Sequence, residues 1–265
     1  MISNEVILEN LHNLYDGLAG QGLVASGSAG GFAFVRHDGF EWPNMAYRRK
    51  GTGEPAGGDI RLLKESVGSR RCPGLIILDR EVLTVEMQVL LADERFVAAT
   101  EWVNMALPVG AVMPGKQDRL QCRKVDAEDA EEWSQWAGVV SEVLFKGGRL
   151  DPALFRHPEM KKRFILMAGF VDGVPVATCL LHLADTAGLY MVATLPSVRG
   201  KGFGRLLIEH AQTEAIARGY AFVVLHSTKA GIPFYNKLGY RSFGKQVLYC
   251  SLPLNYTIDS DRTRT

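Results

Sequence analysis

The sequence predicts an α/β protein built on a mixed sheet, and three observations carry the prediction. Apolar strand-like runs and amphipathic helical runs alternate along the 265 residues, as they do when helices cover a sheet. Asp172-Gly173 stands between two apolar runs, a strong hairpin signal. The run Leu189-Tyr190-Met191-Val192-Ala193 leads through the glycine-rich turn Arg199-Gly200-Lys201-Gly202-Phe203-Gly204 into a helical pattern ending at Arg218.

In the first half, Asn4 to Leu18 reads as a helix, Gly31 to Arg36 as a strand and Trp42 to Arg48 as a strand entered through Pro43. Beyond the glycine-rich stretch Gly51 to Gly58 follow a helix (Ile60 to Val67), a strand (Gly74 to Leu78), a helix (Leu83 to Asp93) and a strand (Val97 to Leu107). Pro108, Gly110, Pro114 and Gly115 interrupt the pattern, so a linker is expected from Pro108 to Arg119. The second half reads as a strand (Leu120 to Val125), a helix (Ala127 to Phe145) with Asp126 as its N-cap and Asp129 in support, and strands at Phe164 to Phe170 and Val174 to Leu183. A strand (Leu189 to Thr194), a helix (Gly204 to Arg218), a strand (Ala221 to Leu225), a helix (Ala230 to Lys237) and a strand (Gln246 to Leu252) complete it. Along the helix after the glycine turn, Phe203, Leu207, Ala211 and Ala215 mark the sheet-facing side, with Arg205, Glu209 and Gln212 opposite. Two units are expected, 1–110 and 118–254, with a frayed polar tail at 255–265.

With 47% hydrophobic and 22% charged residues, the chain has the composition of a packed domain. Its 30 basic and 29 acidic residues leave a net charge of +1, which gives no general drive toward nucleic acid or membrane. Cys72, Cys122, Cys179 and Cys250 are widely spaced and read as reduced core thiols, not metal ligands. No leader-like start and no run of 18 apolar residues is present, so a cytoplasmic protein that binds no metal is expected. Nothing in the sequence sets an oligomeric state.

A glycine-rich turn opening a helix leaves backbone N–H groups converging on one point, where the helix dipole adds positive charge; such turns hold phosphate. A nucleotide-hydrolysing loop would need Ser or Thr after Gly200-Lys201, where Gly202 stands. A dinucleotide loop needs glycines at its first, third and sixth positions, whereas these fall at 200, 202 and 204. What remains resembles the pyrophosphate arm of the GNAT superfamily of N-acetyltransferases: Arg199, two residues, Gly202, one residue, Gly204. Downstream, Tyr235 followed by Gly239-Tyr240 is similar to that superfamily's closing segment. The order of elements over the last 130 or so residues matches its layout. The first half resembles, by pattern, the degenerate domain of tandem GNAT proteins.

The resemblance implies acetyl-CoA as co-substrate and a primary amine, of a small molecule such as an amino acid or polyamine, as acceptor. Backbone N–H groups from Arg199 to Gly204 would take the pyrophosphate, with Lys201 and Arg205 as possible added charge. The edge at Val192, Ala193 and Thr194 would pair with the pantetheine arm, and an N–H near Ala193 would polarise the thioester. Tyr235 would protonate the leaving thiolate, and Thr228 stands where relatives carry a cofactor-contacting asparagine. The strand before the loop has no carboxylate; Glu142, His182, Asp185 and His226 are the ionisable candidates for a base, and none is chosen. The first half is expected to hold no Arg-x-x-Gly-x-Gly element before residue 199, and Gly27, Gly30 and Gly31 precede a strand, so one cofactor site is expected, in the second half. The competing expectation is a non-catalytic acyl-CoA-binding module that senses CoA.

Overall fold

The structure is a computed structural model that describes residues 1–49, 55–108 and 120–252. Ser3 accepts a hydrogen bond from the Val6 N–H and so starts α1 (Asn4–Gly20), whose Ile7, Leu11, Leu14 and Leu18 are buried at helical spacing. There follow β1 (Ala25–Ala29), β2 (Phe32–Arg36), β3 (Met45–Tyr47), α2 (Gly57–Gly68), β4 (Leu75–Asp79), α3 (Val85–Asp93) and β5 (Phe96–Pro108). The second half begins with β6 (Gln121–Lys124) and α4 (Ala130–Leu144), then two short helices, α5 (Pro152–Arg156) and α6 (Pro158–Arg163). Strands β7 (Phe164–Val171), β8 (Val174–Leu183) and β9 (Ala187–Thr194) come next. The chain ends with α7 (Phe203–Ala217), β10 (Phe222–Thr228), α8 (Ile232–Lys237) and β11 (Arg241–Ser251).

These limits follow the expected ones with informative exceptions. The cap of α4 is Asp129, not Asp126: Asp129 takes the N–H groups of Glu131 and Glu132, while Asp126 turns the chain by accepting from Glu128 N–H. Strand β1 was not expected, because Ala25-Ser26-Gly27-Ser28-Ala29 is a small, polar and mostly exposed edge without alternation. Nor were α5 and α6, each a single turn begun by an Asp-Pro or His-Pro pair and too short to show a period. Of the expected linker, Pro108 is described as the last residue of β5 and residues 109–119 lie outside the described residues, as does the tail at 255–265.

The eleven strands form one sheet in the order β1-β2-β3-β4-β11-β5-β10-β9-β8-β7-β6. The hairpin between β7 and β8 turns at Asp172-Gly173 as expected, both residues at positive φ. The long-range order is what the sequence leaves open. Strand β5 from the first half lies between β10 and β11 of the second, with Met105 opposite Leu225 and Trp102 opposite both Thr228 and Gln246. In turn β11 lies between β5 and β4, pairing Leu248 with Ile77. The two halves thus exchange their last strands and share every backbone ladder at the centre of the sheet.

One face carries α1 and α4 to α6 over a core that includes Trp133, Trp136 and Phe155. The opposite face carries α7 and α8 beside the second half and α2 and α3 beside the first. On α7, Phe203, Leu207, Ala211 and Ala215 are buried as expected, but Glu209 and Gln212, expected outside, are buried too. Each has a partner: Glu209 pairs with Arg205 at 2.6 Å, and Gln212 donates to the Tyr240 hydroxyl at 3.1 Å, while Gln212 Oε1 has none among the described residues. All four cysteines are free thiols; Cys122 alone is only half-buried.

The exchange predicts how a fragment behaves. A chain starting near Lys116 keeps β10 and β11 but loses β5 from between them, which strips both of their shared partner. It is expected to aggregate or to lack a cooperative thermal transition, whereas co-expression with residues 1–115 restores one. A soluble, cooperatively folding fragment on its own would show that the exchange is dispensable.

Candidate functional site

The site begins where two parallel strands part. β9 and β10 pair only through Ala187–Val223, Gly188–Val224 and Leu189–Leu225. Past Leu189, β9 remains paired with β8, but among the described residues no strand lies along its other edge. A β-bulge sits at the fork. Thr178 is opposite Ala193 and Leu180 opposite Tyr190, and Met191 between them adopts φ +48. This left-handed conformation costs a β-branched or long side chain of order 1 kcal/mol, and the bulge turns the strand by one residue: Met191 packs with the α1-face core, Val192 with the α7-face core. Val192, Ala193 and Thr194 therefore present main chain to an open edge.

That edge faces the N-terminus of α7. Gly200 and Gly202 have φ of +78 and +83, which a side chain would strain, and Gly202 is the N-cap with no side-chain capping bond. The first helical bond is Leu206 N–H to Gly202 C=O at 3.1 Å, so the first-turn N–H groups of α7 have no intrahelical partner. Gly204 lies against the end of β9, where a Cβ would come within 2.8 Å of Thr194 Oγ1. Arg199 Nε donates to Thr194 C=O at 3.1 Å and ties loop to strand. Arg205 is half engaged by Glu209. Val192, Ala193, Thr194, Arg199, Gly200, Gly202, Phe203 and Gly204 line one cleft of about 2550 Å3, together with Thr228 and Tyr235; Lys201 is not in its lining.

Tyr235 enters from α8, its ring edge-on to Phe234 and Tyr240 with centroids 5.2 and 5.6 Å away. Its hydroxyl makes no hydrogen bond among the described residues, and burial raises its pKa above the ordinary tyrosine value. A phenol so placed is neutral at ordinary pH and has a proton to donate to a thiolate forming beside it. Thr228 is exposed at the end of β10, where its carbonyl accepts from Ser227 Oγ at 2.9 Å and from Gly231 N–H.

The cleft continues past the fork onto the α1 face, where the first half walls it with Leu14, Tyr15, Trp42, Met45 and Trp102. Of the candidates for a base, Glu142 and Asp185 are exposed and outside the lining. His182 is buried outside it as well, its Nδ1 3.3 Å from Asn10 Oδ1. His226 does line the cleft, at the first β10 position beyond the last β9 pair. Burial lowers the pKa of both His182 and His226 to about 3, so each is neutral at ordinary pH.

Reading the chain for one Arg-x-x-Gly-x-Gly element overlooks a second, Arg48-Arg49-Lys50-Gly51-Thr52-Gly53. It lies between β3 and α2, and β3 pairs in parallel with β4 after that helix, the same passage that β9, α7 and β10 make. Residues 50–54 are outside the described ones. What is described differs from α7: the α2 N-terminus holds its own anion, with the Asp59 carboxylate accepting the Ala56 N–H at 2.9 Å. A carboxylate there competes with any phosphate.

With this geometry in place, comparison with known proteins is direct. Residues 127–240 match the model of the acetyltransferase (GNAT) family. The fold is similar to that of a GCN5-related N-acetyltransferase from Kribbella flavida, with a TM-score of 0.68 at 18% identity over 91% of this chain and 95% of that one. It is also similar to a GCN5-related N-acetyltransferase from Sphaerobacter thermophilus, with a TM-score of 0.61 at 16% identity over 77% of this chain and 71% of that one. At those identities the structural likeness speaks for the fold; the family match places residues 127–240, in the second half, in the acetyltransferase (GNAT) family. Among the described residues no cluster of metal-ligating side chains is present and no helix is long and apolar enough to cross a membrane.

Gly202→Glu places bulk and negative charge at the α7 N-terminus, in a conformation only glycine adopts without strain. Calorimetric titration is expected to show one CoA bound per wild-type chain and at least a tenfold weaker affinity in the variant, with the fold retained by circular dichroism. Unchanged affinity would remove the loop from the binding site, and two CoA per chain would reopen the Arg48–Gly53 element.

Proposed function

We propose that the protein transfers the acetyl group of acetyl-CoA to a primary amine of a small molecule. The observation that carries this reading is the coincidence of an uncapped helix N-terminus with an unpaired strand edge in one cleft: two sets of backbone N–H donors, spaced along a single path, with Tyr235 at its side. The residues present suit a CoA. The N–H groups from Arg199 to Gly204 would take its pyrophosphate, and Gly204, where a Cβ would collide with Thr194, leaves the backbone open to it. Val192, Ala193 and Thr194 would pair with the pantetheine arm as a neighbouring strand would, and Thr228 offers a hydroxyl across the fork. The thioester supplies the activated acetyl group.

The chain's own residues then have three tasks. Backbone N–H at the fork, near Ala193, polarises the acyl carbonyl, the electrostatic stabilisation on which acyl transfer most depends. Tyr235 keeps its proton until sulfur leaves and then donates it. The apolar walls from the first half hold the acceptor and exclude water; their aromatic character, in Tyr15, Trp42 and Trp102, favours an amine carried on an apolar body. On this reading residues 1–110 bind no cofactor and serve as the acceptor wall, and 118–254 carry the transfer machinery.

The test is a panel of primary amines with acetyl-CoA, following released thiol, on wild type and Tyr235→Phe. The variant is expected to lose about ten- to a thousandfold in kcat with little change in KM for acetyl-CoA, because donation to sulfur is made in the transition state. A kcat within twofold where chemistry limits turnover would make Tyr235 a packing residue. CoA binding without turnover of any amine would favour a sensing module instead.

A further inference from the structure

Two residues that line the cleft have a buried nitrogen without a partner among the described residues, Arg36 at Nε and His226 at Nε2, and only His226 stands at the fork. His226 Nε2 is buried with no hydrogen-bond partner among the described residues, although its ring lines the cleft at the fork. A buried acceptor left unpaired is destabilising, which makes the position worth explaining. The other ring nitrogen, Nδ1, lies 2.7 Å from Asn104 Oδ1 and 3.2 Å from Gln246 Nε2, and the much shorter contact to the amide oxygen governs it.

Which nitrogen carries the proton is decided far from the ring. The Asp79 carboxylate can only accept, so the amide nitrogen of Asn4 must face it, at 3.2 Å. The Asn4 oxygen is thereby turned toward Asn104 and accepts from Asn104 Nδ2 at 2.7 Å. Asn104 must then present its own oxygen to His226, and that oxygen also accepts from Gln246 Nε2 at 3.0 Å. An amide oxygen 2.7 Å from a ring nitrogen demands a proton between them, so His226 is the Nδ1–H tautomer and Nε2 carries a free lone pair. The ordering chain runs from β4 through α1 and β5, all elements of the first half, into a strand of the second. Gly244 in β11 leaves room for it, since a Cβ there would strike the Asn4 side chain.

Resting on the acetyl-transfer reading above, we propose that His226 is the proton acceptor for the incoming amine, and that Asp79, Asn4 and Asn104 are positioning residues that keep its Nε2 in the accepting form. The amine nitrogen forms a bond to the acetyl carbon as the carbon–sulfur bond breaks; the nitrogen's proton passes to Nε2, the thiolate takes the Tyr235 proton, and solvent then removes the proton from Nε2 and returns one to the Tyr235 phenolate. The groups around His226 do not supply a rival: Tyr190 on β9, with its ring 6.0 Å away, is a phenol whose hydroxyl is committed to Asn10 Oδ1 at 2.8 Å. Trp102 on β5, 6.3 Å away, is apolar on its faces, and His12 on α1 lowers rather than raises the basicity of His226. Burial keeps the ring neutral and its lone pair available at neutral pH.

Two measurements test this on the full chain. Two-bond nitrogen–proton correlation spectra of the histidines are expected to show His226 as the Nδ1–H tautomer in wild type and to show the Nε2–H form gaining population in Asn104→Leu. The resonance is assigned by its loss in His226→Gln or, should that variant not fold, by backbone connectivity. In kinetics, His226→Gln is expected to lose about a hundredfold or more in kcat/KM for the amine, with CoA affinity by calorimetry unchanged. An Nε2–H tautomer in wild type, or amine turnover by His226→Gln within twofold of wild type, overturns the proposal while leaving acetyl transfer intact. Absence of turnover by wild type with every amine overturns the acetyl-transfer reading, and with it this step, whatever the tautomer.

Discussion

The parting of β9 from β10 after Leu189 and Leu225 is the constraint on which the rest of the site depends. Backbone N–H and C=O groups inside a protein demand partners, and a strand released from its neighbour at the centre of a sheet leaves a row of them open. Two features keep the gap from closing. The bulge at Met191 bends β9 away, and β10 is held on its far side by seven residue pairs with β5. The open edge and the uncapped α7 N-terminus lie along one cleft, and both ask for the same kind of occupant: extended, with acceptors along its length and anionic at one end.

The same cleft explains why the chain is long for this fold. Strand β5 does more than extend the sheet: its Trp102 walls the acceptor side, and its Asn104 faces His226. Helix α1 crosses β5, β10 and β9 and brings Asn4 and Asn10 to the polar side chains those strands place beneath it. Removing the first half would therefore take away a structural partner, a pocket wall and the hydrogen-bond partners of His226, Gln246 and Tyr190 at once. This is a stronger coupling than a linker between two beads would provide.

Local chemistry was legible in the sequence, and non-local pairing was not. The alternation of elements, the Asp172-Gly173 turn and the glycines at 200, 202 and 204 are statements about neighbouring residues, and the structure carries each of them. The order of strands is a statement about residues over a hundred apart, and no pattern within β5 or β11 reveals that each inserts beside the other. The Met191 bulge hides because Leu189 to Ala193 reads as an unbroken apolar strand with no glycine to mark it. The orientation of the His226 ring could not be seen either, since Asn104, which holds its Nδ1, is 122 residues away. Signals that were present but passed over are Asp151-Pro152 and His157-Pro158, which open helices, and the second Arg-x-x-Gly-x-Gly spacing at Arg48.

The central claim is that one extended ligand completes both the open edge of β9 and the first turn of α7. Amide hydrogen exchange of the full chain with and without CoA tests it most directly. The account predicts new protection at Val192 to Thr194 and at Gly202 to Arg205 together, with β8 and the far end of β9 unchanged. Protection confined to other segments, or at only one of these two, would contradict it.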